Sequence, residues 1–496
     1  MNNCTYHLIS KLNDLSAQQL KANCIVLGKN QDSFLNPKES VSFEDFIHLI
    51  IKSQSFIKKH NFSKLDSIVL LEAPSPELYA TIVGALSLGI QIIFIEPWLP
   101  VLEIETLLGK LKPKILFCNY LTKKWLQFRG LNLEKISNTI QHHPLAKILY
   151  ESHKNKNIEI LNLADDHPGI CTFTSGTSGG KSKGVQRSHQ KLINQFEVIS
   201  KHRPMGDLKH YDYVIFPNLV LNNLSNLKPS LIFQKNKSLH EHKTFLNIPK
   251  SCQPDTMAIN PGTLKFILEN ELFFNSFRHI KVGGALLDCW IAQNCIKALP
   301  QTNWSHIYGS TEAEPVAIGN LEQCLEESLK KNYFQVLCLG NKINECDHQF
   351  KNDQIMWIHG KHVSEFYVEN EKANLENKFT DIDGKIWHCL GDRIELDKNN
   401  AKYLWFLGRQ SQNLEDFLLE QKFYSSVKSS QAFLYDKKTM ILNKLKIKNY
   451  RQFNNINNDS LTFINCTIQR DRRHQSRIDR EKTLLQIHKS FKGILI

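Results

Sequence analysis

Residues 174–185 read TSGTSGGKSKGV, a run of glycines and small hydroxyl side chains that contains two lysines, Lys181 and Lys183. Glycine lets consecutive backbone N–H groups turn toward an anion, hydroxyls add donors with little bulk, and lysine neutralises negative charge. The preceding residues 169–173, GICTF, are typical of a buried strand. The stretch therefore predicts a strand that leads into a loop able to hold a polyphosphate.

Two other interpretations of this loop stay open when its residues are taken alone. A segment rich in Gly, Ser and Thr is also typical of a flexible surface loop. The P-loop of mononucleotide-binding ATPases requires a glycine, four further residues and then Gly-Lys-Ser/Thr. Gly180-Lys181-Ser182 supplies the end of that pattern, but Ser175 stands where the first glycine belongs. The choice between them depends on the residues downstream.

Further motifs follow the loop in a fixed order. They are Gly283-Gly284-Ala285, Tyr308-Gly309-Ser310-Thr311-Glu312, Leu390-Gly391-Asp392, Gly408-Arg409 and, at 472–480, RRHQSRIDR. In this order, over nearly the whole chain, they resemble the adenylate-forming superfamily of acyl-CoA synthetases, peptide-synthetase adenylation domains and luciferases. Within it, residues 308–315 (YGSTEAEP), residues 216–224 (FPNLVLNNL) and the tail look most like fatty-acid–CoA ligase-like proteins and olefin β-lactone synthetases.

Length and patterning predict an α/β fold with more than one domain. At 496 residues the chain is long for a single hydrophobic core. From Ser67 onward, strand-like and helix-like pieces alternate, which indicates parallel strands joined by helices. We expect parallel-rich sheets flanked by helices in a large N-terminal adenylation domain, residues 1–408. The resemblance adds a small, mobile, basic α+β domain at residues 409–496, with a hinge near 408–411.

Composition excludes several classes of protein. The run Tyr79–Ile95 has no charge, but a helix that ends at Gly89 and a buried strand at residues 90–95 explain it better than a membrane span. No transmembrane segment is therefore expected. The chain has 12 cysteines and no Cys-x-x-Cys pair, which favours reduced thiols in a cytoplasmic protein over disulfides or a zinc site.

The net charge is +13, and the residues from Arg409 onward carry 17 Lys/Arg against 8 Asp/Glu. A basic face could attract ATP, the phosphates of coenzyme A, an acidic carrier protein or an anionic membrane. A biased composition on a solvated face explains the same charge. The basic run has no interleaved aromatic residues, so no nucleic-acid partner is expected.

The resemblance implies that the loop clamps the β- and γ-phosphates of ATP. This role falls on Thr174, Ser175, Gly176, Thr177, Ser178, Gly179 and Lys183. The family usually has one residue fewer here and a proline ahead of the lysine, where this chain has Ser182. We therefore expect Lys181 to share the role of Lys183 or to take it over.

The later motifs carry the remaining roles that the resemblance implies. Thr311 meets the α-phosphate, and Glu312 binds Mg²⁺, for which a carboxylate is a suitable hard ligand. Tyr308 lies along the adenine face, Asp392 accepts hydrogen bonds from the ribose, and Arg409 contacts ribose or phosphate. The turn after a predicted strand is also assigned to the nucleotide, at Gly283, Gly284 and Ala285. By residue type alone, a core tyrosine, a turn aspartate and an exposed hinge arginine are the ordinary alternatives.

Two positions depart from the family pattern. The catalytic lysine of the family lies in a Ser-Lys-Ile or Gly-Lys-Ile context, and this chain has Ser476-Arg477-Ile478. Arginine keeps the positive charge but is larger and planar, so adenylation is expected to be slower, redirected or absent. Residues 410–420 (QSQNLEDFLLE) lack the glycine and arginine that many coenzyme A ligases have there. This weakens the thioester step and favours β-lactone formation.

We therefore expect an enzyme that uses ATP and Mg²⁺ to convert a carboxylic acid, a fatty acid by resemblance, to acyl-AMP and pyrophosphate. Transfer to a thiol of coenzyme A or a carrier protein would follow. The catalytic residues would be Lys183, Thr311, Glu312 and Arg477. The alternatives are a β-lactone synthetase that needs no coenzyme A and a nucleotide- or acyl-binding protein with impaired catalysis. Phe216, Leu219, Val220, Leu221 and Leu224 would line an apolar acyl pocket, although core packing explains them equally well.

Overall fold

The computed structural model describes residues 9, 11–28, 40–96, 99–131, 141–152, 157–174, 182–202, 211–233, 253–271, 276–333, 336–352, 354–397, 403–415, 417–418, 432–436, 439–443, 462–466, 483 and 486. The chain forms two compact units. The first consists of Met1–Ala258, Thr311–Glu314 and Ile358–His388. The second consists of Ile259–Ser310, Pro315–Trp357 and Cys389–Ile496.

Within these described residues, strands and helices alternate along much of the chain. The strands are β1 (Asn23–Gly28), β2 (Ser40–Ser42), β3 (Ser67–Leu71), β4 (Gln91–Phe94), β5 (Ile115–Cys118), β6 (Gln141–His143), β7 (Pro168–Thr174), β8 (Lys183–Ser188), β9 (Tyr211–Val214), β10 (Ser230–Phe233), β11 (Pro254–Ile259), β12 (His279–Val282), β13 (Asn303–Ser310), β14 (Ala313–Asn320), β15 (Gly340–Lys342), β16 (Asp347–Lys351), β17 (Ile355–His359), β18 (Tyr367–Val368), β19 (Lys378–Thr380), β20 (Ile386–Leu396), β21 (Tyr403–Arg409), β22 (Ala432–Asp436), β23 (Thr439–Asn443) and β24 (Thr462–Cys466). The α-helices are α1 (Ala17–Leu20), α2 (Phe43–Lys59), α3 (Pro76–Ser87), α4 (Val101–Leu111), α5 (Tyr120–Phe128), α6 (His189–His202), α7 (Pro217–Ser225), α8 (Pro261–Glu269), α9 (Cys289–Ala298), α10 (Leu321–Lys330) and α11 (Glu371–Asn377).

The first unit contains a seven-stranded sheet in the order β18-β8-β7-β4-β3-β5-β6. Strands β7, β4, β3, β5 and β6 are parallel, whereas β8 is antiparallel to β7 and β18 is antiparallel to β8. All five residues of β3, SIVLL, are buried. A continuous apolar run of this kind is typical of a parallel strand that is covered on both faces.

The uncharged run near residue 80 forms two short elements, as the sequence predicts. Helix α3 begins after Ser75, whose hydroxyl accepts a 3.2 Å hydrogen bond from the N–H of Leu78. The chain leaves the helix through Gly89, which has a φ of 73° in the left-handed region, and enters β4. In the part of the chain that the structure describes, none of the helices has the length and apolar character needed to span a bilayer.

The first unit also contains strands in the order β2-β1-β10-β9-β11, all parallel to their neighbours except β2. Helix α7 packs into the same unit, and its apolar residues belong to the hydrophobic core. Leu219, Val220, Leu221 and Leu224 are at most 8% exposed there, and Phe216 packs against that core. The core packing proposed as the alternative to an acyl pocket is therefore what this helix shows.

The second unit contains strands in the order β12-β13-β14-β15-β21-β20-β17-β16. Strands β12 and β13 are parallel, whereas the pairs β14/β15, β15/β21 and β20/β21 are antiparallel. Trp304 and Trp405 are 1% exposed and are among the largest buried side chains. The α/β class is thus confirmed, with mixed sheets. The domain boundary near residues 408–411 stays a prediction, because most residues after 418 lie outside the described ranges.

Candidate functional site

The two ends of the predicted phosphate loop lie side by side. Strands β7 and β8 form an antiparallel pair in which Thr174 and Lys183 are direct partners. The sequence predicts the strand before the loop, and the structure adds a second strand that returns beside it. The loop positions Ser175, Gly176, Thr177, Ser178, Gly179 and Lys181 lie outside the described residues, as does the side chain of Thr174. Their assignment to ATP stays a prediction.

Gly184 fixes the packing at the base of this hairpin. A β-carbon at this position would lie 2.6 Å from Cζ of Phe173, its partner across the two strands, and Phe173 is fully buried. Only glycine lets the two strands approach this closely. Next to it, Ser182 is 5% exposed, and its N–H donates to Oε1 of Glu103 at 2.5 Å. The residue that replaces the proline of the family is therefore anchored through its backbone.

Glu312 lies in the short turn between β13 and β14, and its position is fixed from several sides. The N–H of Ser364 donates to the carbonyl oxygen of Glu312 at 2.8 Å. The guanidinium of Arg187 donates to the neighbouring carbonyl of Thr311. The hydroxyl of Tyr367 donates to Oε1 of Glu312 at 2.8 Å. The turn is therefore held through both its main chain and its carboxylate.

The ring of Tyr367 also carries two lysines. Nζ of Lys183 lies 5.3 Å from the ring centroid, and Nζ of Lys378 lies 5.0 Å from it. A lysine ammonium over an aromatic face is attracted by the ring electrons. Lys378 additionally donates to the carbonyl of Ser364, the residue whose N–H binds Glu312. One tyrosine thus links the lysine at the end of the phosphate loop to the predicted metal ligand.

The charges of Glu312, Lys378 and His388 shift one another's pKa values. Burial alone would raise the pKa of Glu312, but His388, the Tyr367 hydroxyl and Lys378 outweigh it and lower that pKa to about 2. Burial lowers the pKa of Lys378 to about 7. Lys191 and Lys183 also lower this pKa, whereas Glu312 and Glu365 raise it. Burial and Lys378 lower the pKa of His388 to about 3. Near pH 7 the carboxylate is therefore ionised and the imidazole neutral, an arrangement that suits a divalent cation and phosphate oxygens.

In the second unit, Asp392 brings two other predicted residues together. The hydroxyl of Tyr308 donates to its Oδ2 at 2.5 Å, and Nη1 of Arg409 lies 2.7 Å from its Oδ1 as an ion pair. Asp392 and Arg409 are direct partners across β20 and β21. Asp392 is only 4% exposed. Three residues that lie far apart in the sequence, each predicted to bind nucleotide, therefore form one contact cluster.

The carboxylate of Asp392 retains hydrogen-bonding capacity. Its Oδ1 is buried and, among the described residues, has no hydrogen-bond partner in addition to its ion pair with Arg409. Gly391, with a φ of 69°, precedes it, and the register of β20 and β21 shifts between Asp392 and Ile394. Irregularities of this kind are common next to functional sites. A buried acceptor of this kind suits a pair of ribose hydroxyls.

The turn Gly283-Gly284-Ala285 comes directly after β12, as predicted. The N–H of Gly283 donates to the carbonyl of Ile259 at 3.0 Å, and a β-carbon on Gly283 would lie 3.0 Å from the carbonyl oxygen of Ile307. Gly284 has a φ of 79°. The close approach at Gly283 and the left-handed φ of Gly284 both favour glycine where this turn packs against the backbone next to Tyr308.

Arg393 holds the predicted hinge. Its guanidinium donates to the carbonyls of Arg409, Gln412 and Gln410, at 2.6, 2.5 and 3.2 Å. Gly408 has a φ of 111°, which only glycine adopts readily. The sequence indicates the glycine but gives no signal for Arg393, because the contacts join residues 16–19 positions apart. Arg477 lies outside the described residues, and its catalytic role stays a prediction.

Sequence reasoning missed most of the residues around Glu312. Tyr367, Lys378, His388, Ser364 and Arg187 belong to none of the motifs. Tyr367 lies 55 positions from Glu312, and Arg187 lies 124 positions from Thr311. Only the pairing of β18 with β8 brings Tyr367 close to Lys183. A local pattern could not have indicated these contacts.

Comparison with known proteins gives concordant matches. The sequence model of a family described as AMP-binding enzyme matches residues 28–367. D-alanine–D-alanyl carrier protein ligase of Staphylococcus epidermidis is 23% identical over 351 residues, which cover 68% of this chain and 67% of that protein. O-succinylbenzoate coenzyme A synthetase of Bacillus subtilis, in complex with ATP and magnesium ion, superposes with a TM-score of 0.73 at 16% identity over 96% of this chain and 99% of that one. The N-terminal domain of FACL13 from Mycobacterium tuberculosis gives a TM-score of 0.65 at 16% identity, over 82% and 100%. At such identities the structural matches establish the fold.

Proposed function

The chain belongs to the AMP-binding enzyme family, and we propose that it activates a carboxylic acid with ATP to form an acyl-adenylate. A carboxylate oxygen of the acid attacks the α-phosphorus of ATP. The bond from that phosphorus to the oxygen that bridges it to the β-phosphate breaks, and pyrophosphate leaves with the electron pair. The site must therefore hold two anions together and stabilise charge on the phosphoryl oxygens.

The arrangement around Glu312 is the observation that carries this proposal. Its carboxylate is ionised, is oriented by Tyr367 and lies in a cluster with Lys183 and Lys378. Mg²⁺ in nucleotide enzymes is held by one or two carboxylates together with substrate phosphates and water. This fits a chain whose described residues hold no group of three or more protein metal ligands. Glu312 would bind the ion, which when bound neutralises charge on the phosphates.

The cluster around Asp392 supports the binding of the nucleotide. Its buried Oδ1 would accept hydrogen bonds from the ribose hydroxyls, and the Tyr308 hydroxyl orients the other oxygen. Arg409 pairs with the carboxylate and would contact the ribose or phosphate. The turn Gly283-Gly284-Ala285 would lie against the base. Lys183, with Lys181 and the hydroxyls of the loop, would neutralise the β- and γ-phosphates, and Thr311 would meet the α-phosphate.

We further propose that the acid is a medium- or long-chain fatty acid and that its acyl group passes to the thiol of coenzyme A or a carrier protein. Similarity to a carrier-protein ligase and to a coenzyme A synthetase supports a thiol acceptor. Residues 409–496 would form a small domain that is joined at the hinge held by Arg393 and brings Arg477 to the site. The nine described free cysteines fit a cytoplasmic protein.

A second candidate keeps the adenylation but ends differently. The β-hydroxyl oxygen of a β-hydroxyacyl-adenylate would attack the acyl carbon, a four-membered lactone would close, and AMP would leave. Residues 410–420 contain no glycine or arginine. By the family resemblance this favours the second candidate, because many coenzyme A ligases have these residues in a segment that turns toward the thiol. This candidate requires no thiol acceptor.

Pyrophosphate release against a panel of carboxylic acids, with and without coenzyme A, tests both candidates. We expect acid-dependent release and a thioester product when coenzyme A is present. Release without a thioester, with a lactone from β-hydroxy acids, would favour the second candidate. Binding of ATP without release for any acid would indicate a protein whose catalysis is impaired by Arg477.

A further inference from the structure

Helix α5 (Tyr120–Phe128) presents an apolar stripe to solvent. Leu121, Trp125 and Phe128 are spaced by four and three residues, so they share one face of the helix. Their exposures are 79%, 42% and 90%. Leu126 points elsewhere and is fully buried, so it anchors the helix on the first unit. A contiguous exposed stripe of this kind marks an interaction surface.

The chemistry around the stripe is basic. Helix α5 and the residue that ends it carry three basic side chains, Lys123, Lys124 and Arg129, and no acidic one. Lys110 and Lys114, which precede the helix in sequence, are paired with Glu369 and Asp66. Nζ of Lys124 lies 5.6 Å from the ring centroid of Tyr120, and the guanidinium of Arg129 lies 4.6 Å from that of Trp125. Positive charges therefore lie level with the aromatic rings.

We propose that α5 docks on an anionic phospholipid surface. Leu121, Trp125 and Phe128 enter the boundary of the acyl chains, and the basic residues of the helix contact headgroup phosphates. Tryptophan and tyrosine combine an apolar ring with a polar group and are favoured at this boundary. Each lysine or arginine near an anionic surface adds to the attraction. The two features complement such a membrane in both polarity and charge.

The size of the surface favours a lipid over a protein partner. Helix α5 has 9 residues, which is a length of about 14 Å. A stable protein interface buries about 1,200–2,000 Å² in total, more than one face of such a short helix supplies. Insertion into a bilayer needs only the protruding side chains. This docking is independent of the proposed function, because it requires neither ATP nor an acid.

Sedimentation with vesicles tests the proposal. We expect the full chain to bind vesicles of phosphatidylcholine and phosphatidylglycerol, to bind vesicles of phosphatidylcholine alone weakly, and to be released by high salt. The double variant Leu121→Ser/Phe128→Ser should lose at least about tenfold in vesicle affinity, because two large apolar side chains no longer insert. Both positions are exposed, so the fold should persist, which circular dichroism checks.

Leu375→Ser is the matched control, because Leu375 is 85% exposed on α11 of the same unit. It should retain wild-type vesicle binding. The proposal is overturned if neutral and anionic vesicles bind equally, if neither binds, or if the control weakens binding as much as the double variant. The proposal is also overturned if no vesicles are bound and the double variant instead loses a dimer or its retention on an immobilised acidic acyl carrier protein. Either loss would indicate a protein partner.

Discussion

The hydroxyl of Tyr367 donates a 2.8 Å hydrogen bond to Oε1 of Glu312 across 55 positions of sequence. The same ring lies under the ammonium groups of Lys183 and Lys378. Tyr367 therefore orients the carboxylate proposed to bind Mg²⁺ and also contacts the side chains of Lys183 and Lys378 through its ring. Its loss should affect metal use more than the binding of the acid.

Replacing Tyr367 by phenylalanine should raise the Mg²⁺ concentration needed for half-maximal pyrophosphate release by about tenfold or more, since hydrogen bonds to charged groups contribute about 1.5–3 kcal/mol. The ring remains, so the lysines keep their aromatic partner. Titration of the activity with Mg²⁺ at saturating ATP measures the effect, and direct binding of Mn²⁺ in the presence of ATP gives a readout that is independent of turnover.

Tyr150→Phe is the control for this variant, because Tyr150 is 85% exposed and lies far from Glu312 in sequence. It should leave the metal titration unchanged. An unaltered Mg²⁺ requirement in Tyr367→Phe would show that Glu312 does not depend on this hydroxyl.

Asp392→Asn should weaken the binding of a non-hydrolysable ATP analogue by about tenfold or more, because charge-assisted hydrogen bonds to the ribose are lost. The change preserves size and leaves Arg409 without its carboxylate partner. Isothermal titration calorimetry measures the affinity. Asp397→Asn is the control, since Asp397 accepts from Nε1 of Trp405 in the same unit and has no predicted role with nucleotide. Wild-type affinity in Asp392→Asn would exclude the ribose assignment.

Gly184→Ala should destabilise the protein by about 1–3 kcal/mol, because the new methyl group overlaps the ring of Phe173. The midpoint of urea unfolding followed by circular dichroism measures the change. Gly109→Ala should act in the opposite direction by up to about 1 kcal/mol, since Gly109 is exposed inside α4 with open space around its α-carbon. The double variant Gly184→Ala/Phe173→Leu should recover part of the loss. Equal stability of Gly184→Ala and the wild type would show that the hairpin adjusts freely.

The sequence predicts the elements that depend on local pattern. Strands and helices alternate from Ser67 onward as predicted, and Gly89 ends a helix in the left-handed turn expected of it. These features depend on hydrophobic periodicity and on the backbone freedom of glycine, which neighbouring residues determine. The individual motifs around Tyr308, Asp392 and Arg409 also predict one cluster, because each already implies contact with the same ligand.

Contacts between distant strands could not be predicted in the same way. The hairpin of β7 and β8 was not expected, because its turn is a long polar loop without a short hairpin signal. Tyr367 and Lys378 meet Glu312 only because β18 pairs with β8 and β19 pairs with β20. Such pairings depend on the whole sheet, and no local residue pattern records them. The apolar residues of α7 show a different difficulty. An acyl pocket and a hydrophobic core require the same side chains, so the sequence alone does not distinguish them.

Arg477→Lys should raise the rate of adenylate formation, because lysine restores the compact charge that the family uses at this position. Exchange of labelled pyrophosphate into ATP measures this half-reaction without a thiol. Arg473→Lys, a neighbouring arginine without an assigned role, should change nothing. A lower rate in Arg477→Lys would mean that the site is adapted to the guanidinium.

The most direct test of the central claim is acid-dependent exchange of pyrophosphate into ATP by the wild type and by Glu312→Gln. We expect exchange by the wild type only when a suitable carboxylic acid and Mg²⁺ are present. We expect a fall of at least about tenfold in Glu312→Gln, because the amide is a much weaker metal ligand than the carboxylate. A wild type without exchange for any acid, or a glutamine variant with wild-type rates in saturating Mg²⁺, would contradict it.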